Sequence, residues 1–333
     1  MSAPRSSWQG RQVLVTGAGG FIGSHLVDAL ARRGASVRGF VRYTSMGGVG
    51  WLDDLEPDVR RAVEIYQGDL VNPEAVARAA EGCEVIFHLG ALIPIPYSFR
   101  HPREYVAANV EGTTNVLEAA RRSGCRVVQT STSEVYGTAQ VVPIDELHPL
   151  VPQSPYAASK VASDQLALSY QRSFELPVVV VRPFNTFGPR QSARAIIAAI
   201  AVQALTRDVV EIGATRPTRD FVYVADTVEG FLRAAEQEGV EGEVFNLGSG
   251  REITIGDLAQ AILAVVGRDV PLVTAAERLR PGGAEVDRLL ADADKARRLL
   301  GWQPEVSLQA GLERTVEWLR HHLDAYRPDA YQV

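Results

Sequence analysis

Residues 12–23 read Gln12-Val-Leu-Val-Thr16-Gly17-Ala-Gly19-Gly20-Phe21-Ile22-Gly23, and this stretch decides the fold. The β-branched run 12–16 predicts a strand. It stops at glycine, after which Ile22, Leu26, Ala29 and Leu30 fall on one face of a helix expected over 21–33. Gly34 stands where a helix-ending C′ glycine belongs. Glycines between a strand and a helix let the backbone turn tightly and approach a pyrophosphate, whose charge is stabilised at the helix N-terminus. The spacing is Gly17-x-x-Gly20-x-x-Gly23, because Ile22 replaces the last glycine of the Gly-x-Gly-x-x-Gly fingerprint. A tight turn with no ligand is the competing reading, and the flanking strand and helix weigh against it.

The same rhythm continues outward. Apolar runs at 36–41, 63–67, 85–89, 126–130 and 178–182 predict strands, and 73–80, 105–122 and 156–174 predict helices between them. Strand–helix–strand alternation implies right-handed crossovers and a parallel sheet. The strands are apolar throughout, which suits a sheet covered on both faces. The expected fold class is therefore α/β, a doubly wound Rossmann-type parallel sheet. After Pro183 the rhythm changes. Helices are expected at 195–206, 227–237, 255–266 and 312–323, and strands at 221–224 and 244–247. This predicts a dinucleotide-binding domain over residues 8–184, with 219–248 returning to it. A smaller mixed lobe would comprise residues 185–218 and 249–325.

Composition narrows the function classes. The chain has 333 residues, 46% hydrophobic and 22% charged, which is ordinary globular usage. A net charge of −6 argues against a nucleic-acid-coating protein, which needs a basic face. Cys83 and Cys125 are too few for a disulfide framework, and no His, Asp or Glu cluster predicts a metal site. No apolar h-region opens the chain, and no apolar run reaches the roughly 18–20 residues that span a bilayer. The expectation is a soluble, cytoplasmic protein.

The second strand ends Phe40-Val41-Arg42-Tyr43, with no acid until Asp53. An acid there would bind the ribose 2′-hydroxyl of NAD, whereas Arg42 suits the 2′-phosphate of NADP. NADP is therefore the expected cofactor, with NAD as the alternative. Asp69 and Leu70, beyond the third strand, are placed to touch the adenine edge, although Asp69 equally suits a helix cap. Leu89 and Ala91 follow the fourth strand at the cofactor crevice, beside His88, which reads as packing. Tyr156-Ala-Ala-Ser-Lys160 sets a phenol and an ammonium one turn apart on one helical face. A nearby Lys favours phenolate, so Tyr156 gains character as a base. Ser131-Thr132-Ser133-Glu134 follows a strand, at the carboxyl end where ligands bind in such sheets.

Taken together, the glycine turn, the hydroxyl segment and Tyr156-x-x-x-Lys160 resemble the extended short-chain dehydrogenase/reductase family over nearly the whole chain. Arg182-Pro-Phe-Asn185, Gly188-Pro-Arg190, Arg219-Asp-Phe-Val-Tyr-Val224-x-Asp226 and Asn246-Leu-Gly248 resemble its nucleotide-sugar members. Ser131-Thr-Ser-Glu-Val-Tyr-Gly137, the run from Asn185 to Arg194, and Leu279-Arg-Pro followed by Glu285-Val286 resemble LegB-like N-acetylglucosamine nucleotide 4,6-dehydratases in particular.

The resemblance implies roles. Tyr156 would take the C4 hydroxyl proton while C4 gives hydride to the nicotinamide. Lys160 would lower the Tyr156 pKa and hold the cofactor ribose, and Thr132 would bind the C4 oxygen. Glu134 would remove the C5 proton, water would leave C6, and the hydride would return there. The cofactor would be tightly bound, with Gly17, Gly20, Phe21, Ile22 and Gly23 at its diphosphate. Ser133 departs from the Asp of many hexose dehydratases, so the C6 proton donor is open, with Glu134 a candidate for both roles. Asn185, Arg219 and Arg280 would bind the nucleotide sugar. For Arg190 and Arg194 the ligand and surface readings balance.

A 4-epimerase and a UDP-glucuronate decarboxylase share this scaffold, and a non-catalytic NAD(P) sensor is a remote third reading. Glu134 counts against an epimerase, which needs no C5 base. Helices 105–122 and 156–174 carry surplus apolar residues: Val106, Val110, Val116, Leu117 and Ala120 on the first, Val161, Leu166, Leu168 and Tyr170 on the second. That surplus, like the resemblance, predicts a homodimer through a four-helix bundle. Loops of the same chain are the alternative cover.

Overall fold

The computed structural model describes residues 7–280 and 283–326. Strands β1 (Gln12–Thr16), β2 (Ser36–Val41), β3 (Val63–Gln67), β4 (Val85–His88), β5 (Arg126–Thr130) and β6 (Val178–Pro183) form most of one sheet. Three short strands follow: β7 (Asn185–Phe187), β8 (Val210–Ile212) and β9 (Thr218–Tyr223). Then β10 (Val244–Leu247) completes the large sheet, before β11 (Glu252–Thr254) and β12 (Leu272–Thr274). The large sheet has seven parallel strands in the order β3-β2-β1-β4-β5-β6-β10. This is the doubly wound α/β fold that the sequence predicts. The order reverses between β1 and β4, so a crevice opens there at the strands' carboxyl ends.

On the flanks lie α1 (Phe21–Arg32), α2 (Pro57–Arg61), α3 (Pro73–Ala80), α4 (Ile95–Arg100), α5 (Pro102–Tyr105), α6 (Gly112–Ser123) and α7 (Pro155–Phe174). The second half adds α8 (Ile196–Thr206), α9 (Val224–Glu236), α10 (Ile255–Val266), α11 (Asp294–Leu300) and α12 (Leu308–Arg320). Two small sheets, β11-β9-β7 and β12-β8, build the floor beneath α8, α10 and α12. Helix α8 is apolar nearly all round and buried over most of its length, as an interior helix must be. Among the described residues no helix is long and apolar enough to cross a membrane.

The expected single helix over 105–122 is interrupted. Residues Val106–Glu111 form a π-helical segment between α5 and α6. The cause is tertiary. The Asn109 side chain accepts from Leu92 N at 2.7 Å and donates to Leu92 O at 2.9 Å and Ser159 Oγ at 2.9 Å. Its carbonyl accepts from Ser163 Oγ at 2.8 Å. These bonds hold the loop after β4 and the helix α7 to one residue, and regular α geometry gives way there.

Helices α6 and α7 lie side by side, with Tyr170 Oη donating to Glu118 at 2.8 Å. Most of the apolar surplus expected on this flank is spent within the chain. Val116, Leu117 and Ala120 are fully buried, and Leu168 is 6% exposed, in the chain's own core. The reason is that α3 and the sheet pack beneath these positions. Val106, 58% exposed, and Phe174, 52% exposed, remain outside.

Candidate active site

The turn after β1 is shaped for close backbone approach. Gly17 has φ of +69°, and a Cβ on it would lie 2.8 Å from Gly90 N. A Cβ on Gly23 would lie 2.2 Å from Gly17 O. Helix α1 starts at Phe21 behind Gly20 with no side chain capping its first N–H groups. An uncapped N-terminus opening into a crevice suits a diphosphate. These residues fit a nicotinamide dinucleotide.

The crevice has a volume of about 830 Å³, and it gathers most of the sequence candidates. Gly17, Gly20, Phe21, Ile22, Gly23, Arg42, Leu89 and Ala91 line it on the cofactor side. Thr132, Ser133, Glu134 and Tyr156 line its centre, and Asn185, Arg194, Arg219 and Arg280 the far side. Asp69, Leu70, Lys160 and Arg190 are not in that lining. Asp69 sits 4.0 Å from Arg42, whose side chain is 79% exposed. Leu70 packs behind the crevice wall, against Gly90 and Gly112. Arg190 turns toward α1, 3.4 Å from Ser24 Oγ.

Tyr156 is pushed well above the ordinary phenol range. Burial is the main cause, the charge of Glu134 adds to it, and a hydrogen bond with Thr132 opposes it. Lys160 is 4% exposed, and burial pulls it down to about 8. Its charge acts on Asp164 and on His88. Asp164 accepts from Ser131 Oγ at 2.6 Å and from Arg182 at 3.1 Å, so α7 is braced against β5 and β6 directly behind the centre. His88 is held near pKa 3 by burial and by Lys160, and so is neutral. Its Nδ1 meets Thr16 Oγ1 at 2.7 Å and its Nε2 meets Thr113 Oγ1 at 3.1 Å. Thr16 Oγ1 also accepts from Gly90 N at 3.0 Å, so His88 braces the cofactor turn.

Strand β9 carries Arg219 into the site, where it is 5% exposed and 3.4 Å from Glu285. Burial lowers the Arg219 pKa, with Glu134 and Glu285 opposing. Arg280 stands 3.8 Å from Glu134 and 3.7 Å from Glu285. Glu285 thus bridges both guanidinium groups, a role that sequence spacing could not show across 66 residues. Asn185 Nδ2 donates to Asp220 O at 3.3 Å. Among the described residues no group of three or more His, Cys, Asp or Glu is arranged to hold a metal ion.

A switch-point crevice with a glycine turn on one side and a Thr/Glu/Tyr centre in its middle defines a nucleotide-cofactor enzyme of the Rossmann class. A family model described as GDP-mannose 4,6 dehydratase matches residues 14–315. The UDP-glucose 4-epimerase of Mycolicibacterium smegmatis is 39% identical over 318 residues, 93% of this chain and 99% of that one. UDP-glucuronic acid decarboxylase 1 of Xenopus tropicalis is 30% identical, over 96% of this chain and 75% of that protein. The solved dTDP-glucose 4,6-dehydratase of Streptomyces venezuelae, with NAD bound, superposes with a TM-score of 0.85 at 32% identity, covering 95% and 99% of the two chains. The chain belongs to the epimerase/dehydratase family of extended short-chain dehydrogenases/reductases.

Proposed function

We propose that this protein is a nucleotide-sugar 4,6-dehydratase acting on a nucleoside diphosphate hexose, with N-acetylglucosamine nucleotides the first to test. The observation that carries this reading is the Glu134 carboxylate, which lines the same crevice as Tyr156 and raises its pKa. A second base beside the C4 base is needed for dehydration and has no task in epimerisation. A bound nicotinamide dinucleotide would supply the hydride acceptor and, later, the hydride donor. Tyr156 takes the proton from the C4 hydroxyl, and Thr132 orients that oxygen. The resulting C4 ketone acidifies C5–H, and Glu134 removes that proton. The C6 hydroxyl then leaves as water, with Glu134 as the proton donor, since Ser133 stands where an acid would otherwise be. Arg219 and Arg280 bind the diphosphate in a fork geometry, displacing Glu285. The test is turnover of UDP- and GDP-hexoses, in which a 4-keto-6-deoxy product supports the reading.

One observation favours a second reading. Arg280, 3.8 Å from Glu134, puts a cation close to the base. A cation there suits a C6 carboxylate, the substrate mark of a decarboxylase. Carbon dioxide release from a UDP-hexuronate, with no keto-deoxy product from hexoses, would establish that reading instead.

For the cofactor, Arg42 supports NADP. Asp69 offsets that charge from 4.0 Å, and the solved Streptomyces venezuelae relative holds NAD. Arg42→Ala should weaken NADP about tenfold more than NAD if the guanidinium meets a 2′-phosphate. Equal weakening in a fluorescence titration assigns NAD.

The exposed Val106 and Phe174 support a homodimer through the α6–α7 flank. Light scattering should give the mass of two chains at micromolar concentration, and Val106→Glu should shift it toward one. A monomer for the unaltered protein refutes the dimer. Leu168 is no probe of this contact, because it is buried in the chain's own core.

A further inference from the structure

We propose that Trp318 and Tyr326 are positioning residues for the cofactor, a C-terminal aromatic clasp that keeps the dinucleotide in its crevice. The inference rests on the nucleotide-cofactor reading and not on which sugar reaction follows. In the loop after β2, Thr44, Gly48, Val49 and Gly50 line the crevice beside the glycine turn. That loop and the turn are locked together. A Cβ on Gly19 would lie 2.2 Å from Val49 O, and Trp51 N donates to Gly19 O at 3.0 Å. The loop cannot open without disturbing the turn that faces the diphosphate.

The outer side of that loop is held by the C-terminal end of the chain. The Trp51 indole meets Trp318 edge-to-face, with centroids 5.3 Å apart and planes at 73°. It also meets the Tyr326 ring at 6.4 Å. Trp318 is stacked on His322 at 4.0 Å and 9°, which fixes its orientation. Tyr326 is buried, and its hydroxyl donates to Gln191 O at 2.8 Å. Gln191 lines the crevice on the turn after β7. That same turn reaches back to α1, where Pro189 O meets His25 Nε2 at 3.0 Å and Arg190 meets Ser24 Oγ at 3.4 Å. The contacts therefore close a circuit: glycine turn, Trp51, Trp318 and Tyr326, Gln191, and α1 again. The glycine turn and Gln191, both members of that circuit, line the crevice. Trp318 ends α12, which packs against α8 and α10, so the second half of the chain holds the loop shut over the first.

A cofactor regenerated at every turnover gains from slow release, and this circuit must open for release. The test compares dissociation of NAD and NADP from the unaltered protein and from Trp318→Ala, Trp318→Phe and Tyr326→Phe. Nicotinamide absorbance of the protein-bound fraction is followed after dilution into excess unlabelled nucleotide analogue. Trp318→Ala should release cofactor roughly tenfold faster, because it loses the ring contacts to Trp51 and Tyr326. Trp318→Phe should recover most of the retention. Tyr326→Phe, which removes only the hydroxyl, should release a few-fold faster. The KM for the nucleotide sugar at saturating cofactor should stay within about twofold, since neither Trp318 nor Tyr326 lines the crevice. Melting of the cofactor-free variants separates loss of the clasp from loss of the fold. Unchanged release rates in folded Trp318→Ala and Tyr326→Phe overturn the proposal. So does a matched rise in the sugar KM, which would mark a general loosening. Failure of the unaltered protein to bind either nucleotide would instead overturn the cofactor reading beneath it.

Discussion

Glu134→Gln should lower dehydration by at least about a hundredfold and leave cofactor binding unchanged. The amide keeps the shape of the carboxylate in the 3-10 turn Ser133–Tyr136, whose N-cap Thr132 accepts from Glu134 N at 3.2 Å through its hydroxyl. It cannot take a proton. In the proposed mechanism oxidation at C4 uses Tyr156 and not Glu134, so the variant should still develop reduced-nicotinamide absorbance when substrate is added and then stall. The charge change has one further consequence. Arg280 loses its partner at 3.8 Å but keeps Glu285 at 3.7 Å until the diphosphate takes that place, so substrate affinity should change little. Full dehydratase turnover in Glu134→Gln would remove Glu134 from the role of C5 base.

Tyr156→Phe should abolish both signals, with neither reduced nicotinamide nor keto product. Loss of a general base typically costs about a hundred- to ten-thousandfold. Burial and the Glu134 charge disfavour phenolate at Tyr156. Lys160 stands one turn further along α7 and holds its own proton weakly, with a pKa near 8. A loss below about tenfold in Tyr156→Phe would mean that another group takes the C4 proton.

Much of the fold is legible where local signals are strong. The strands at 12–16, 36–41, 63–67, 126–130 and 244–247 and the helices at 73–80 and 255–266 have the bounds that periodicity, caps and glycines predict. Three-residue strands such as β7, β8, β11 and β12 are too short to show a period, and they exist because neighbouring strands complete them. The first turn of α12 was legible in principle, because Ser307 caps it through Ala310 N, but its apolar period starts only later. The π segment at Val106–Glu111 was not legible, since Asn109 answers to Leu92 and Ser163 rather than to its own helix.

The site divides the same way. Thr132, Glu134 and Tyr156 meet in one crevice because strand ends and a helix start carry them there, and those elements are readable. What Lys160 acts on was not readable, because i, i+4 spacing gives proximity to Tyr156 but not burial or the neighbours His88 and Asp164. The Glu285 bridge between Arg219 and Arg280 and the Trp318–Trp51 contact join segments far apart in sequence, and only the folded chain brings them together.

The central claim is that hydride taken from C4 is returned to C6 after a base has removed the C5 proton. A nucleotide hexose carrying deuterium at C4, incubated with the protein in ordinary water, tests this in one mass and NMR spectrum. A 4,6-dehydratase gives a product lighter by one water, with a ketone at C4 and the deuterium in a new C6 methyl group. Deuterium returned to C4 with the C6 hydroxyl retained, in an epimerised sugar, would contradict it.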